Sequence, residues 1–241
     1  MTSTPFQRAR SDEQRAVRRQ AILDTAAAML VEMPVAQVSL NELSRRVGLA
    51  KSNVLRYFES REAVLLELLD VASREWLEQL DPAFAAAVAD AGTGYRGDRL
   101  VAALAATLTA RPVLCDLVSA QAAVLERNVS PAVAAEYKRA AIANAETLGR
   151  LIGSYVPELG EGDAMRFAAV TIMVTGAVWT HSHPTPAMLA VYETDPTLAA
   201  MRLDFTAALR QTLEVLLSGL LARAAGQPGG GLGRGGEADH L

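Results

Sequence analysis

Lys51-Ser52-Asn53, followed by Arg56 and Tyr57, brings a cation, a hydroxyl, an amide, a guanidinium and a phenol into one short stretch. The set contains no activated nucleophile, acid–base pair or metal-ligand cluster. It suits hydrogen bonding to nucleic acid instead. Lysine reaches guanine O6 or N7, or a phosphate, and asparagine pairs with adenine or a phosphate. Serine donates to phosphate and is small enough to let the backbone approach. Arg56 and Tyr57 lie a turn further on, within reach of flanking backbone. Ser39, and Ser60 with Arg61, stand at expected helix starts, where free N–H groups face anions.

These residues need elements to hold them. Ser39-Leu40-Asn41-Glu42 has the S-x-x-E form of a capping box, in which Glu42 reaches back to the serine N–H. A short helix follows with Leu40, Leu43 and Val47 on one face, and Gly48 stops it. Only Leu49 and Ala50 separate it from the next segment, Lys51 to Phe58. Two short helices joined by a glycine-containing turn form a helix-turn-helix, whose second helix enters the major groove with its N-terminal residues at base edges. Upstream, Ile22, Ala26, Met29, Leu30 and Met33 recur at helical spacing from about Arg15, and Pro34 ends the run. Phe58 is assigned to the core. Tyr57 is assigned to phosphate, with core as its alternative. Arg45 and Arg46 read as a solvated face, with a backbone contact as the alternative.

The stretch from Ala21 to Leu69, reading AILDTAAAML and then SLNELSRRVGLAKSNVLRYFESREAVLLELL, resembles the DNA-binding domain of the TetR family of bacterial transcriptional regulators. The matching features are the apolar first helix, the Ser39 start, the Leu43-x3-Val47-Gly48 elbow, Lys51, Tyr57-Phe58, and Glu62-x2-Leu65. Two positions depart from the family pattern. Ala50 stands where Ser or Thr is usual, which removes a capping side chain worth about 1 kcal/mol. Leu55 stands where Tyr is usual and cannot donate to phosphate.

The resemblance implies that the rest of the chain is a helical domain that binds an effector and dimerises. The expected organisation is all-α: a disordered arm at 1–15, the helix-turn-helix domain at 16–62, the effector and dimerisation domain at 63–225, and a disordered glycine-rich tail at 226–241. Ser60 opens a long helix with Leu65, Leu68, Leu69, Ala72, Trp76 and Leu80 on one face, expected to end at Asp81-Pro82. Further helices are expected over 99–110, 112–128, 131–155, 163–180 and 198–225, with an irregular proline-containing stretch over 181–197 that has room for one helical turn at Ala187 to Tyr192. An effector pocket is expected among Trp76, Leu104, Leu108, Cys115, Leu117, Gln121, Tyr137, Met173 and Trp179, each with plain core as its alternative. The last two long helices are the candidates for a homodimer interface through Ala168, Ala169, Ile172, Gly176, Leu209, Leu213, Leu216 and Leu220, with a monomer core as the alternative. His181-x-His183 reads as a helix end rather than a metal or acid–base pair.

Composition sets the outer limits. Of 241 residues, 51% are hydrophobic and 5% aromatic, and alanine, the best helix former, is abundant. The single cysteine, Cys115, excludes an internal disulfide, and no Cys/His spacing suits zinc, so neither metal nor cofactor is expected. The longest uncharged apolar run, Phe167 to Trp179, is too short to span a bilayer. The expected location is therefore the cytoplasm. No nucleophile elbow, phosphate loop or HExxH motif argues for an enzyme. The competing readings are an activator, a regulator without a small-molecule effector, a helical protein-interaction module, and a helical enzyme.

The net charge of −4 is uneven. Residues 1–62 hold 10 basic and 7 acidic side chains, and residues 63–241 hold 13 and 20. The basic share lies with the helix-turn-helix. Its excess is modest, so specific DNA binding is expected to lean on shape and a few contacts more than on bulk charge.

Overall fold

The computed structural model describes residues 5–89 and 95–226. Eleven helices follow one another there, with no strand among the described residues: α1 (Pro5–Glu32), α2 (Leu40–Val47), α3 (Lys51–Val54), α4 (Arg61–Val88), α5 (Arg96–Thr109), α6 (Pro112–Ala120), α7 (Pro131–Tyr155), α8 (Gly160–Ser182), α9 (Pro186–Thr194), α10 (Pro196–Ala199) and α11 (Phe205–Gly226). Helices α1–α3 pack around Ile22, Ala26, Met29, Leu43, Val54 and Phe58, all buried. Helix α4 runs from that unit into the second layer, where α5, α6, α7, α8 and α11 enclose Trp76, Phe84, Leu100, Leu104 and Phe167.

Local chemistry explains the helix ends in the first unit. Ser39 Oγ accepts from the Glu42 N–H at 3.2 Å, and Ser60 Oγ accepts from the Ala63 N–H at 3.1 Å. Gly48 takes φ +70°, the left-handed conformation that lets its N–H close the end of α2. The other half of the capping box does not form. The Glu42 carboxylate turns to Arg45 and Arg46 (2.6–2.8 Å), because charge-assisted bonds outcompete a neutral backbone N–H. Ala50 caps α3 with no side-chain bond, and α3 gives way after Val54 to a turn closed by Tyr57 N–H on the Val54 carbonyl at 2.9 Å.

Several boundaries differ from the expectation. Helix α1 begins at Pro5 rather than near residue 15, so residues 5–15 are helical and not a disordered arm; Gln, Arg, Ala and Glu sustain a helix without an apolar stripe. Helix α4 runs through Pro82 to Val88. One missing N–H is outweighed there by fully buried Phe84, which meets the Tyr155 ring edge-on at 5.6 Å, while the Tyr155 hydroxyl donates to the Asp81 carbonyl at 3.1 Å. Helix α6 stops at Ala120, and the chain continues through a 3-10 turn at Leu125–Arg127. The proline-containing stretch forms α9 and α10, each with a proline at its start and a capping side chain before it, Thr185 and Asp195. The last helix opens at Phe205, seven residues later than expected. The tail over 227–241 lies outside the described residues. No single described helix is long and apolar enough to cross a membrane.

Candidate functional site

The helix-turn-helix exposes Lys51, Ser52, Asn53 and Arg56 to solvent, together with Ser39. Val54 and Phe58 face the other way and are buried at 0% and 3% exposure. The four-residue helix is thus held by its apolar side with its polar side free. Lys51 and Arg56 make no ion pair among the described residues, whereas Arg45 and Arg46 are engaged by Glu42 and Glu32. The two guanidinium groups hold the Glu42 carboxyl down at about 2, first through the bond from Arg45.

Two of the expected contact residues are also engaged in the fold. Arg61 donates to the Val38 carbonyl at 2.8 Å and lies beside Glu62 at 3.3 Å, with its side chain only 18% exposed. It ties the start of α4 to the turn before α2. Tyr57 is half-buried and packs against the core, so its phenol is at most one edge of the interface. Arg19, which carries no motif, fixes this region. It donates to the Tyr57 carbonyl at 2.7 Å, forks onto Glu67 of α4 and lies 4.2 Å above the Phe58 ring. Only the three-dimensional meeting of α1, α3 and α4 reveals it.

A second candidate site is a cavity of about 290 Å³ between α4, α6, α7 and α8. Its wall is mainly apolar: Leu69, Trp76, Leu77, Leu108, Leu114, Leu148, Ile172 and Met173. Trp76, Leu108, Gln121, Tyr137 and Met173 line it as expected. Leu104, Cys115 and Leu117 are core residues behind the wall, and burial pushes the Cys115 thiol up to about 12. Trp179 lies elsewhere, stacked on His183 at 3.7 Å and edge-on to Phe205 at 5.1 Å. His183 Nδ1 lies 3.0 Å from the Trp179 carbonyl, a helix-end arrangement.

Of the polar groups at this cavity, Gln121 and Tyr137 were expected and Asp70, Asn144 and Lys138 were not. Asp70 accepts from Asn144 Nδ2 at 2.9 Å and from Arg74 Nε at 3.1 Å. Gln121 and Lys138 converge on Glu126 at 3.0 and 2.8 Å. Burial, with the Glu126 and Asp70 carboxylates near, raises the Tyr137 phenol above its ordinary range, so it stays a neutral donor. No local pattern marks Asp70 and Asn144, because they meet across 74 residues. Asp70 and Tyr137 also line a second opening of about 550 Å³ between α4, α7 and the turn after α3.

Two direct links join the walls of this cavity to the helix-turn-helix. Asp116 of α6 accepts from the Val35 N–H at 2.7 Å, just ahead of α2. Glu59, just ahead of α4, accepts from the Ser130 N–H at the start of α7 at 2.5 Å.

Five of the residues expected at a dimer interface are inside the protomer. Ala168, Gly176, Leu209, Leu213 and Leu220 are buried. A Cβ at Gly176 would lie 3.2 Å from the Val118 carbonyl oxygen, so the small residue serves close packing of α8 on α6 within one chain. Ala169, Ile172 and Leu216 remain partly or fully exposed.

Comparison with known proteins is consistent from residue 22 to residue 224. A sequence profile described as bacterial regulatory proteins, tetR family, matches residues 22–68, and one described as tetracyclin repressor-like, C-terminal domain, matches residues 70–224. The HTH-type transcriptional regulator EthR of Mycobacterium tuberculosis is 43% identical over 53 residues, 22% of this chain and 24% of EthR. The match therefore spans about a quarter of the length of that relative. FadR of Bacillus subtilis, solved in complex with stearoyl-CoA, superposes with a TM-score of 0.52 at 15% identity, over 83% of this chain and 98% of FadR. A structure described as a possible TetR family transcriptional regulator from Streptomyces coelicolor A3(2) does so with a TM-score of 0.53 at 21% identity, over 87% and 99%.

Proposed function

The chain belongs to the TetR family of bacterial regulatory proteins and is a DNA-binding transcriptional regulator; from that premise we propose that it is a repressor. It binds a palindromic operator as a homodimer and is released by a small, largely apolar effector. The observation that carries this reading is the pair of links just described. Asp116 and Ser130 belong to two helices that border the cavity, and each bonds a group beside the helix-turn-helix. A ligand that widens the cavity moves α6 or α7, and with them the second protomer's spacing from the first. The ligand acts only through its preference for one spacing over the other. An apolar wall with Asp70, Asn144 and Tyr137 as the polar points favours a compact apolar molecule carrying one amide or similar polar group.

The exposed stripes of the last long helices support a dimer. Ala169, Met173 and Ala177 on α8, and Gln211, Val215, Ser218 and Ala222 on α11, recur at helical spacing and carry no charge. Met173 and Val215 are 73% and 70% exposed in the protomer, and the two helices are neighbours. Four such helices from two chains bury one another in the manner of a bundle. Lys51, Ser52 and Asn53 then meet two half-sites about one helical turn of DNA apart.

A mobility shift on the DNA upstream of the chain's own gene tests this. The expected result is a complex of two protomers on a palindrome, dissociated by small aliphatic or aromatic amides. Failure to shift any palindrome overturns the operator reading. In cells, deletion of the gene raises transcription from that promoter if the protein represses; a fall identifies an activator.

A further inference from the structure

The positive charge of the N-terminal region does not sit on the helix-turn-helix. Residues 21–62 hold five basic and five acidic side chains, so they are neutral. The whole excess lies in residues 1–20, with Arg8, Arg10, Arg15, Arg18 and Arg19 against Asp12 and Glu13. Within 21–62 three of the five cations are already engaged by carboxylates, Arg45, Arg46 and Arg61. A DNA-binding unit with two free cations has little electrostatic grip of its own.

Helix α1 brings part of that charge to the packed unit's edge. From Glu13 onward its first fully buried residue is Ile22, and Glu13 to Arg18 are all exposed. At 1.5 Å per residue, that exposed stretch is roughly 9 Å long. Its base meets the end of the recognition segment. Arg15 donates to the Arg56 carbonyl at 3.4 Å, and Arg15, Arg18, Arg56 and Tyr57 line one open groove of about 900 Å³. None of the three arginines makes an ion pair among the described residues. Glu13 is the one carboxylate among the described residues that line the groove, against three arginines.

We propose that this groove and the exposed stretch of α1 beside it form a second, sequence-independent phosphate clamp on the duplex flanking each half-site. Lys51 and Asn53 read bases, and Arg15, Arg18 and Arg56 hold the backbone next to them. Guanidinium groups match phosphate oxygens with paired donors. The clamp, rather than the helix-turn-helix, then supplies most of the salt dependence of binding.

The inference rests on DNA binding, and its test separates the two. The wild-type chain is used to enrich a duplex from a random-sequence pool. Affinity of the full chain is then measured from 50 to 200 mM salt, on that duplex with long flanks, on the same duplex trimmed to the core, and on mixed-sequence duplex. The double variant Arg15→Gln/Arg18→Gln is expected to keep its base preference and melting temperature. Its log affinity against log salt should flatten by about 2 per protomer on long duplexes. Its deficit should shrink roughly tenfold per protomer, about a hundredfold for a dimer, across the salt range and vanish on the trimmed core. An unchanged slope on the long duplexes overturns the clamp, as does a deficit that persists on the trimmed core. A Lys51→Ala variant that loses base preference with the slope nearly kept supports the division of labour. If no duplex is enriched, the operator reading fails, and the slope on mixed-sequence duplex still decides the clamp.

Discussion

In the helix-turn-helix unit, Ser39, Gly48 and Ser60 stand at helix ends and act there as those residue types act at any helix end. In the helical domain, Gly176, Thr171 and Thr175 stand in the middle of α8, and their roles are set by what packs across from them. Thr171 and Thr175 are fully buried, and each hydroxyl donates to the carbonyl one turn back at 2.8 Å. Gly176 is small because the α6 backbone passes beside it. The first region is built from signals that reach three or four residues along the chain. The second is built from contacts between helices far apart in sequence. The same residue types therefore carry meaning in one region that a sequence exposes, and in the other a meaning that only the fold exposes.

The largest expected effect lies in the second region. Trp76 is 1% exposed, walls the cavity, and donates from its indole N–H to Thr107 Oγ1 at 3.1 Å. Trp76→Ala should cost about 3–5 kcal/mol in chemical denaturation, from lost burial plus the cavity left behind. The helix-turn-helix caps each contribute about 1 kcal/mol. A loss for Trp76→Ala no larger than that for Ser39→Ala would erase the contrast between the regions.

Next comes the link between them. Asp116→Ala leaves the Val35 N–H without its acceptor and should cost about 1–3 kcal/mol. Faster amide exchange at Val35 and along α2 is the specific sign. Asp116→Asn keeps an oxygen acceptor and should recover most of the protection. Equal exchange in all three proteins would mean that the two regions are not joined at this point.

This contrast also explains what the sequence disclosed. The elbow from Ser39 to Gly48, the exposed Lys51-Ser52-Asn53 and the buried Phe58 are readable because each follows from neighbours along the chain. Arg61 was legible only in part, because a basic residue at a helix start suits phosphate equally well; its partner, the Val38 carbonyl, lies 23 residues away. Gly176 and Leu213 misled for a related reason. Small and apolar helix faces look alike whether they meet another chain or the same one, and the folded protomer already uses both residues inside. The cavity was legible in its apolar members and illegible in Asp70 and Asn144, whose meeting depends on how α4 and α7 cross.

Smaller in free energy, and opposite in kind, are changes on the DNA face. Lys51→Ala and Asn53→Ala remove exposed side chains and should leave the melting temperature unchanged. Each should weaken operator binding by about tenfold, ~1.4 kcal/mol. Tyr57→Ala should lower both affinity and stability, because that ring is half-buried against Phe58 and its neighbours. Thermal melts alongside mobility shifts separate the two outcomes. A melting temperature lowered by Lys51→Ala would mean that the recognition segment depends on its polar side, contrary to the free surface described above.

The smallest expected effect tests whether the charges inside the first region belong to its fold. Glu42 binds Arg45 and Arg46 rather than the serine N–H, and its carboxyl is held at about 2 against an ordinary 4.5. The folded state thus binds this proton less readily than the unfolded state. Its contribution to stability is complete above the ordinary value and is lost as the pH falls toward 2. Because the site is open to solvent, the contribution is small and salt-sensitive. Glu42→Gln should leave the melting temperature at pH 7 nearly unchanged in high salt, lower it slightly in low salt, and flatten the acid limb of the stability curve between these pH values. The substitution also frees Arg45 for DNA, while Arg46 keeps its bond to Glu32. A gain in non-specific affinity with a steeper salt slope would show that this carboxylate keeps the helix-turn-helix neutral; unchanged affinity would mean that Arg45 lies away from the duplex.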